Sequence, residues 1–326
     1  MNATAHNKPG AAIAFVLAGV FAISINDMLI KQLSDGYPLH EIIFARSSIG
    51  LLAGLVLVQL EGGWHILKTS QPGWHLLRGL MVVIANMTFF LALAAIPLAD
   101  ATAIFFIAPL FITLLSIPVL GEKVGVMRLG AVAVGFIGVI IMQRPWADAQ
   151  SLQASRLVLL LPVVSALTYA LNQLMTRKLG MRSKASALSV YLQCVFIIVS
   201  LGFFVATGDG RFVTTDSAAS TKFLLRAWVW PQSDDVWVFL ALGLNVAAIG
   251  YCLSQAYRIA DVATVAPFEY VGLPMAVFWG VVIFGDIPMW EIWLGIGLIL
   301  SSGLFVFLRE RQKAKQRITS PMGRRA

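Results

Sequence analysis

Long apolar runs separated by short polar turns make up almost the whole chain. They span about 11 to 33, 39 to 60, 74 to 95, 98 to 120, 124 to 143, 157 to 179, 186 to 207, 236 to 257, 261 to 285 and 289 to 308. A helix needs roughly 20 mostly apolar residues to cross the hydrocarbon of a bilayer, so the pattern predicts ten transmembrane helices. Turns are marked at Asp35-Gly36-Tyr37-Pro38, Glu61-Gly62-Gly63, Ile96-Pro97 and Gly121-Glu122-Lys123. The first run exceeds a signal-peptide core of about 7 to 15 residues and is expected to remain as an uncleaved helix. The one sizeable polar stretch, 208 to 235, is rich in Ser, Thr and Asp and turns aromatic at Trp228-Val229-Trp230, which reads as an outer loop with an interfacial anchor.

Composition agrees with a polytopic membrane protein. Hydrophobic residues make up 59% of the 326 and charged residues only 12%, where soluble domains carry about a quarter. The net charge of +8 does not point to nucleic acid, because the basic residues sit in short clusters between apolar runs. With the N-terminus in the cytoplasm, 17 of the 24 Lys and Arg residues fall on the inner side, so both termini are expected to be cytoplasmic. The two cysteines, Cys194 and Cys252, lie inside apolar runs, and the four histidines, His6, His40, His65 and His75, lie in the tail or near helix ends. Neither a disulfide framework nor a metal site is expected, and no cofactor is implied.

The two halves repeat. Asn26-Asp27-x-x-x-Lys31-x-Leu33 matches Asn172-Gln173-x-x-x-Arg177-x-Leu179, and Ala99-Asp100, Pro109, Leu120-Gly121-Glu122, Gly130 and Gly138 match Ala260-Asp261, Pro274, Phe284-Gly285-Asp286, Gly295 and Gly303. Each half holds five helices, an odd number, so the second copy must be inverted with respect to the first, an arrangement that places a site near the midplane between the halves. The expected organisation is a cytoplasmic tail over 1–10, a first repeat over 11–143, a second over 157–308 carrying the outer loop 208–235, and a basic cytoplasmic tail over 309–326.

On these paired motifs the chain resembles the EamA family of the drug/metabolite transporter superfamily. The Asn26-Asp27 pair, Thr69-Ser70-x-Pro72-x-x-His75-x-x-Arg78-Gly79-Leu80 and Asp261-x-Ala263-Thr264-x-Ala266-Pro267-x-x-Tyr270 are similar to uptake proteins for S-adenosylmethionine, with riboflavin carriers a second subgroup. The resemblance implies an all-α integral membrane fold of ten helices in two inverted five-helix repeats. It also implies secondary active transport of a small organic metabolite across the bacterial inner membrane. Partners are then a small-molecule substrate and membrane lipid, without nucleic acid; a homodimer is left open. The alternatives are an integral-membrane enzyme or a scaffold. No nucleophile with a nearby base and no phosphate loop supports the former, and the latter leaves the intramembrane charges without a reason.

Those charges are the candidate site, because a charge at membrane depth costs at least about 2.5 kcal/mol and marks function or a partner. Asp27 aligns with Gln173 and Arg46 with Gln193, so the second half has lost both charges together, which suggests an Asp27–Arg46 ion pair. Asn26, Asn172 and Gln173 offer amide donors and acceptors to a ligand or to a neighbouring helix. Asp261 and Pro274 stand 13 residues apart, against 9 from Asp100 to Pro109, and Glu269 lies within the extra turn. Arg78 likewise has no charged counterpart and is the expected partner of Glu269. Tyr270, with Phe89, Phe90, Tyr169 and Tyr251, offers stacking to a planar metabolite, or simply packs. Gly50, Gly54, Gly130, Gly138, Gly295 and Gly303 are expected on close-packed helix faces.

Overall fold

A computed structural model describes residues 9–121, 124–144, 146, 155–179, 185–259 and 266–319, which are helical with no strand among them. The first half supplies α1 (Pro9–Leu33), α2 (Leu39–Glu61), α3 (Pro72–Leu93), α4 (Leu98–Phe105), α5 (Ala108–Leu120) and α6 (Val126–Gln143). The second supplies α7 (Arg156–Leu179), α8 (Ala185–Thr207), α9 (Ala219–Leu225), α10 (Val236–Ile259), α11 (Gly272–Phe284) and α12 (Trp290–Thr319). Seven of these segments, α4 and α5 counting as one, are long and apolar enough to cross a membrane; three shorter apolar helices cover Leu129–Gln143, Phe268–Phe284 and Trp290–Phe305.

Two of the expected continuous helices are broken. The run at 98 to 120 divides at Phe106 and Ile107, with Pro109 in the first turn of α5. A proline is tolerated there because that turn has no internal acceptor for the missing donor. The run at 261 to 285 is likewise a 3₁₀ segment, Ala266–Val271, leading into α11. Its beginning, with Asp261, Ala263 and Thr264, lies outside the described residues. At the other end of the chain α12 outruns the expected limit of 308 and continues to Thr319, because Arg309 to Gln316 contains strong helix formers and no breaker.

Packing runs across the halves. α1 lies along α10, α3 along α7, α2 along α8, α4 along α11 and α6 along α12. One buried apolar cluster joins α1, α2, α3, α8 and α10 around Phe90, Leu39 and Phe239; a second joins α4 to α7 with α11 and α12 around Leu110, Ala166 and Ile299. Close approach explains several glycines. A Cβ at Gly138 would stand 3.1 Å from the Gly295 carbonyl, and one at Gly295 3.0 Å from the Gly138 carbonyl, so the α6 and α12 backbones touch. Gly130 differs from expectation, since a Cβ there would meet nothing within 4 Å. Arg144 Nε, 3.1 Å from Glu291 Oε1, adds an ion pair between the end of α6 and the start of α12.

The stretch from 208 to 235 is more ordered than a free loop. Trp228 packs on the rings of His40, Phe44 and Phe204, while Val229 N–H donates to Glu41 Oε2 at 3.1 Å. Tyr37 hydroxyl donates to Asp235 Oδ2 at 2.6 Å and accepts from Gln232 N–H at 2.9 Å; burial and this acidic acceptor push the phenol above its usual range. Of the two tryptophans expected to anchor at the interface, only Trp230, 96% exposed, is free to do so.

Candidate functional site

The centre of the molecule holds a cavity of about 420 Å³, within the range of small-molecule sites. It is walled by α1, α2, α3, α7, α8 and α10 and by both broken segments: Phe105, Phe106, Ala108 and Pro109 line it at one break, Glu269 and Gly272 at the other. Helix breaks facing a cavity are physically consistent, because backbone groups released from the helix ladder must find partners other than lipid.

Four of the polar and charged candidates line it, Asn26 and Asp27 from α1, Arg46 from α2 and Glu269 from the 3₁₀ segment, together with the aromatic candidates Phe89, Phe90 and Tyr169. Asp27 and Arg46 are coupled, though not by the direct contact expected. Asn26 stands between them: its Nδ2 donates to Asp27 Oδ1 at 3.0 Å and its Oδ1 accepts from Arg46 Nη1 at 3.1 Å. The amide is thereby oriented at both ends by opposite charges. Arg46 is 4% exposed, its guanidinium 5.5 Å from the Phe90 ring centroid and 5.4 Å from that of Phe196, two cation–π contacts that compensate part of its desolvation.

Glu269 faces the same cavity and lies within electrostatic reach of the Tyr169 and Tyr270 hydroxyls. It does not form the expected ion pair with Arg78. Arg78 sits half-buried on α3, outside the cavity lining, with His75 in its field and its Nε without a hydrogen bond. Similar depth in the bilayer was right for neither residue's direction around its helix.

Asn172 is buried on α7 and is not among the residues lining the cavity, and Gln173 reaches the cavity through another residue, its Nε2 donating to Tyr169 hydroxyl at 2.7 Å. Tyr169 itself lines the cavity. Tyr270 turns away: its ring packs 5.4 Å from Phe106 and its hydroxyl occupies the space a side chain at Gly303 would need. That contact, rather than ligand stacking, explains a glycine at 303.

Sequence reasoning missed several wall residues, among them Gln193, Asn86, Ser165 and Ser189. Ser165 Oγ donates to Ala85 O at 2.6 Å and Asn86 Nδ2 to Val82 O at 2.9 Å, so both are locally satisfied. It also missed a cationic junction at the far end of α1. Lys31 Nζ donates to Leu93 O at 3.0 Å and to Ile96 O at 2.8 Å, capping the end of α3. The same ammonium is 5.2 Å from the Phe284 ring centroid and lies in the field of Asp286, Asp35 and Asp100.

Comparison with known proteins places the chain. The family model described as the EamA-like transporter family matches residues 10–144. A riboflavin transporter of Vibrio cholerae is 31% identical, covering 95% of this chain and 97% of that one. An S-adenosylmethionine uptake transporter of Rickettsia prowazekii is 26% identical, covering 92% and 93%. A solved structure described only as the crystal structure of a protein shares the fold, with a TM-score of 0.60 at 18% identity over 91% of this chain and 99% of that one. Apolar helices around a charged central cavity, together with these relatives, define a multi-pass membrane protein that transports metabolites. The chain belongs to the EamA-like transporter family.

Proposed function

We propose that the protein is a secondary transporter that carries a small, flat organic metabolite across the bacterial inner membrane by alternating access, with the central cavity as its binding site. The observation that carries this reading is the convergence of Asn26, Asp27, Arg46 and Glu269, from three separate segments, on one aromatic-walled cavity at the two helix breaks. An inverted repeat over 11–143 and 157–308 is supported by the packing pairs. Exchanging each helix for its repeat equivalent turns the α1–α10 contact into the α7–α3 contact and the α1–α11 contact into the α7–α5 contact, and returns α2–α8 and α6–α12 to themselves. The relatives' names make riboflavin the first substrate to test and S-adenosylmethionine the second.

Counterflow decides the matter. Proteoliposomes preloaded with unlabelled riboflavin or S-adenosylmethionine are expected to concentrate the labelled form of one of them transiently. A monodisperse, folded protein that concentrates neither would count against the reading.

Both termini are placed in the cytoplasm, with 208–235 outside, from the distribution of basic residues. In intact cells an impermeant maleimide is then expected to label a cysteine at Ser217 but not one at Ser320, a position outside the described residues. Labelling of Ser320 alone reverses the orientation.

A further inference from the structure

Two buried polar atoms on residues that line the cavity have no hydrogen-bond partner: Arg46 Nε, a donor, and Gln193 Oε1, an acceptor. Their residues are 4% and 3% exposed. A buried polar atom without a hydrogen bond carries a desolvation penalty of about 1–3 kcal/mol, which a ligand supplying the missing group relieves.

The two side chains belong to one region of the α2–α8 contact. Arg46 lies on α2 with its guanidinium over Phe196 of α8, and Gln193 lies one turn before Phe196 on the same face of α8. Gly50, one turn beyond Arg46, has no side chain to displace the Gln193 amide, whose Nε2 stands 3.4 Å from where a Cβ would be. The repeat adds an independent indication. Arg46 and Gln193 occupy equivalent positions of the two halves, and the equivalent helices α2 and α8 pack together, so both positions present their side chains to one space.

We infer that Arg46 and Gln193 form a specificity subsite for the donor–acceptor edge of a neutral flat heterocycle: a ring acceptor meets the Arg46 Nε–H while the adjacent ring N–H or amino group donates to Gln193 Oε1. This rests on the transporter reading above. A neutral edge fits better than an anion, because Asn26 already occupies Arg46 Nη1 and Asp27 lies within electrostatic reach of the guanidinium. A ligand carboxylate at Arg46 would face that acid, whereas an imide or amidine edge brings no charge to it. The plane of such a ring finds aromatic walls in Phe90 and Phe196, continued by Phe89 and by Phe105, whose centroid is 5.4 Å from that of Phe89. Sites that hydrogen-bond a ligand edge reject analogues lacking it far more strongly than apolar pockets reject an extra methylene, so these two side chains, rather than the aromatic walls, set the discrimination.

Such an edge has two sources among the relatives' substrates: the imide of riboflavin and the adenine amidine of S-adenosylmethionine. Binding to the purified full-length protein is measured with riboflavin, with riboflavin methylated on its imide nitrogen, and with S-adenosylmethionine. Gln193→Met, which keeps the length of the side chain but removes the acceptor, is measured beside the wild type. If the imide is the source, methylation weakens binding to the wild type about tenfold or more, and Gln193→Met weakens riboflavin similarly while leaving the methylated compound unchanged. If adenine is the source, S-adenosylmethionine binds, riboflavin does not, and Gln193→Met weakens S-adenosylmethionine by a like factor. Equal wild-type affinity for riboflavin and its methylated form overturns the subsite when riboflavin is the ligand, whatever the variant does. An unchanged S-adenosylmethionine affinity in a folded Gln193→Met protein overturns it in the other case, and failure of all three probes to bind overturns it outright. Counterflow of other metabolites then decides transport separately.

Discussion

Arg46→Gln is expected to reduce the yield of folded protein sharply and to abolish transport, while Asp27→Gln/Arg46→Gln recovers much of the lost yield. Removing one member of a buried charge pair leaves the other uncompensated and typically destabilises by about 3–5 kcal/mol, whereas removing both leaves no orphan charge. Gln173 and Gln193 stand at the positions that the sequence repeat aligns with Asp27 and Arg46, so the double change gives the first half the amides of the second. Because Asn26 links the two groups, with hydrogen bonds of 3.0 and 3.1 Å, Asn26→Leu should behave like a charge removal although it deletes no charge. A direct ion pair would not predict that. The measurement is a double-mutant cycle on detergent-solubilised protein, read as melting temperature and monodisperse yield. Coupling of about 1–3 kcal/mol between positions 27 and 46 is expected; additive effects would remove the network from the account.

Glu269→Gln is expected to leave folding intact, to preserve counterflow and to abolish accumulation driven by a pH gradient. The carboxylate lines the cavity from a 3₁₀ turn at a helix break, within electrostatic reach of the Tyr169 and Tyr270 hydroxyls. A permanent clamp to Arg78 would predict the opposite outcome, lost yield with an ordinary pH profile, and the structure has Arg78 elsewhere on α3. Proteoliposome uptake measured with and without an imposed pH gradient separates the two. Should the Gln variant accumulate substrate with the wild-type pH profile, Glu269 has no coupling role and Asp27 becomes the acid to test.

The helices were legible because bilayer thickness imposes a length on every apolar run: the first two, read as 11 to 33 and 39 to 60, are Pro9–Leu33 and Leu39–Glu61. The breaks were less so. Pro109 and Pro267 lie at the breaks, yet a proline fits equally well in a kink, a first turn or a 3₁₀ segment, and only packing selects among these. Within the cavity, Asp27, Arg46 and Glu269 stood out because charge in an apolar run demands a reason. Gln193 did not, since a single amide in a buried helix reads the same whether it faces a ligand or a neighbour. Arg78 shows the converse limit: sequence fixes depth along a helix far better than direction around it, and contact requires both.

Lys31 has a consequence for how the molecule would move. Its ammonium is shared among the end of α3, the start of α4 and the turn after α11, so in an alternating-access cycle α1 and α11 part at that end only by separating Lys31 from Asp286. The carbonyl bonds to Leu93 and Ile96 are short-range and indifferent to dissolved ions, but the attraction to Asp286 and Asp35 weakens as the screening length shortens, to about 8 Å at physiological ionic strength. Under the proposed cycle and orientation, this end faces the outer medium, and the salt there would shift the resting balance of inward- and outward-facing forms before any substrate arrives.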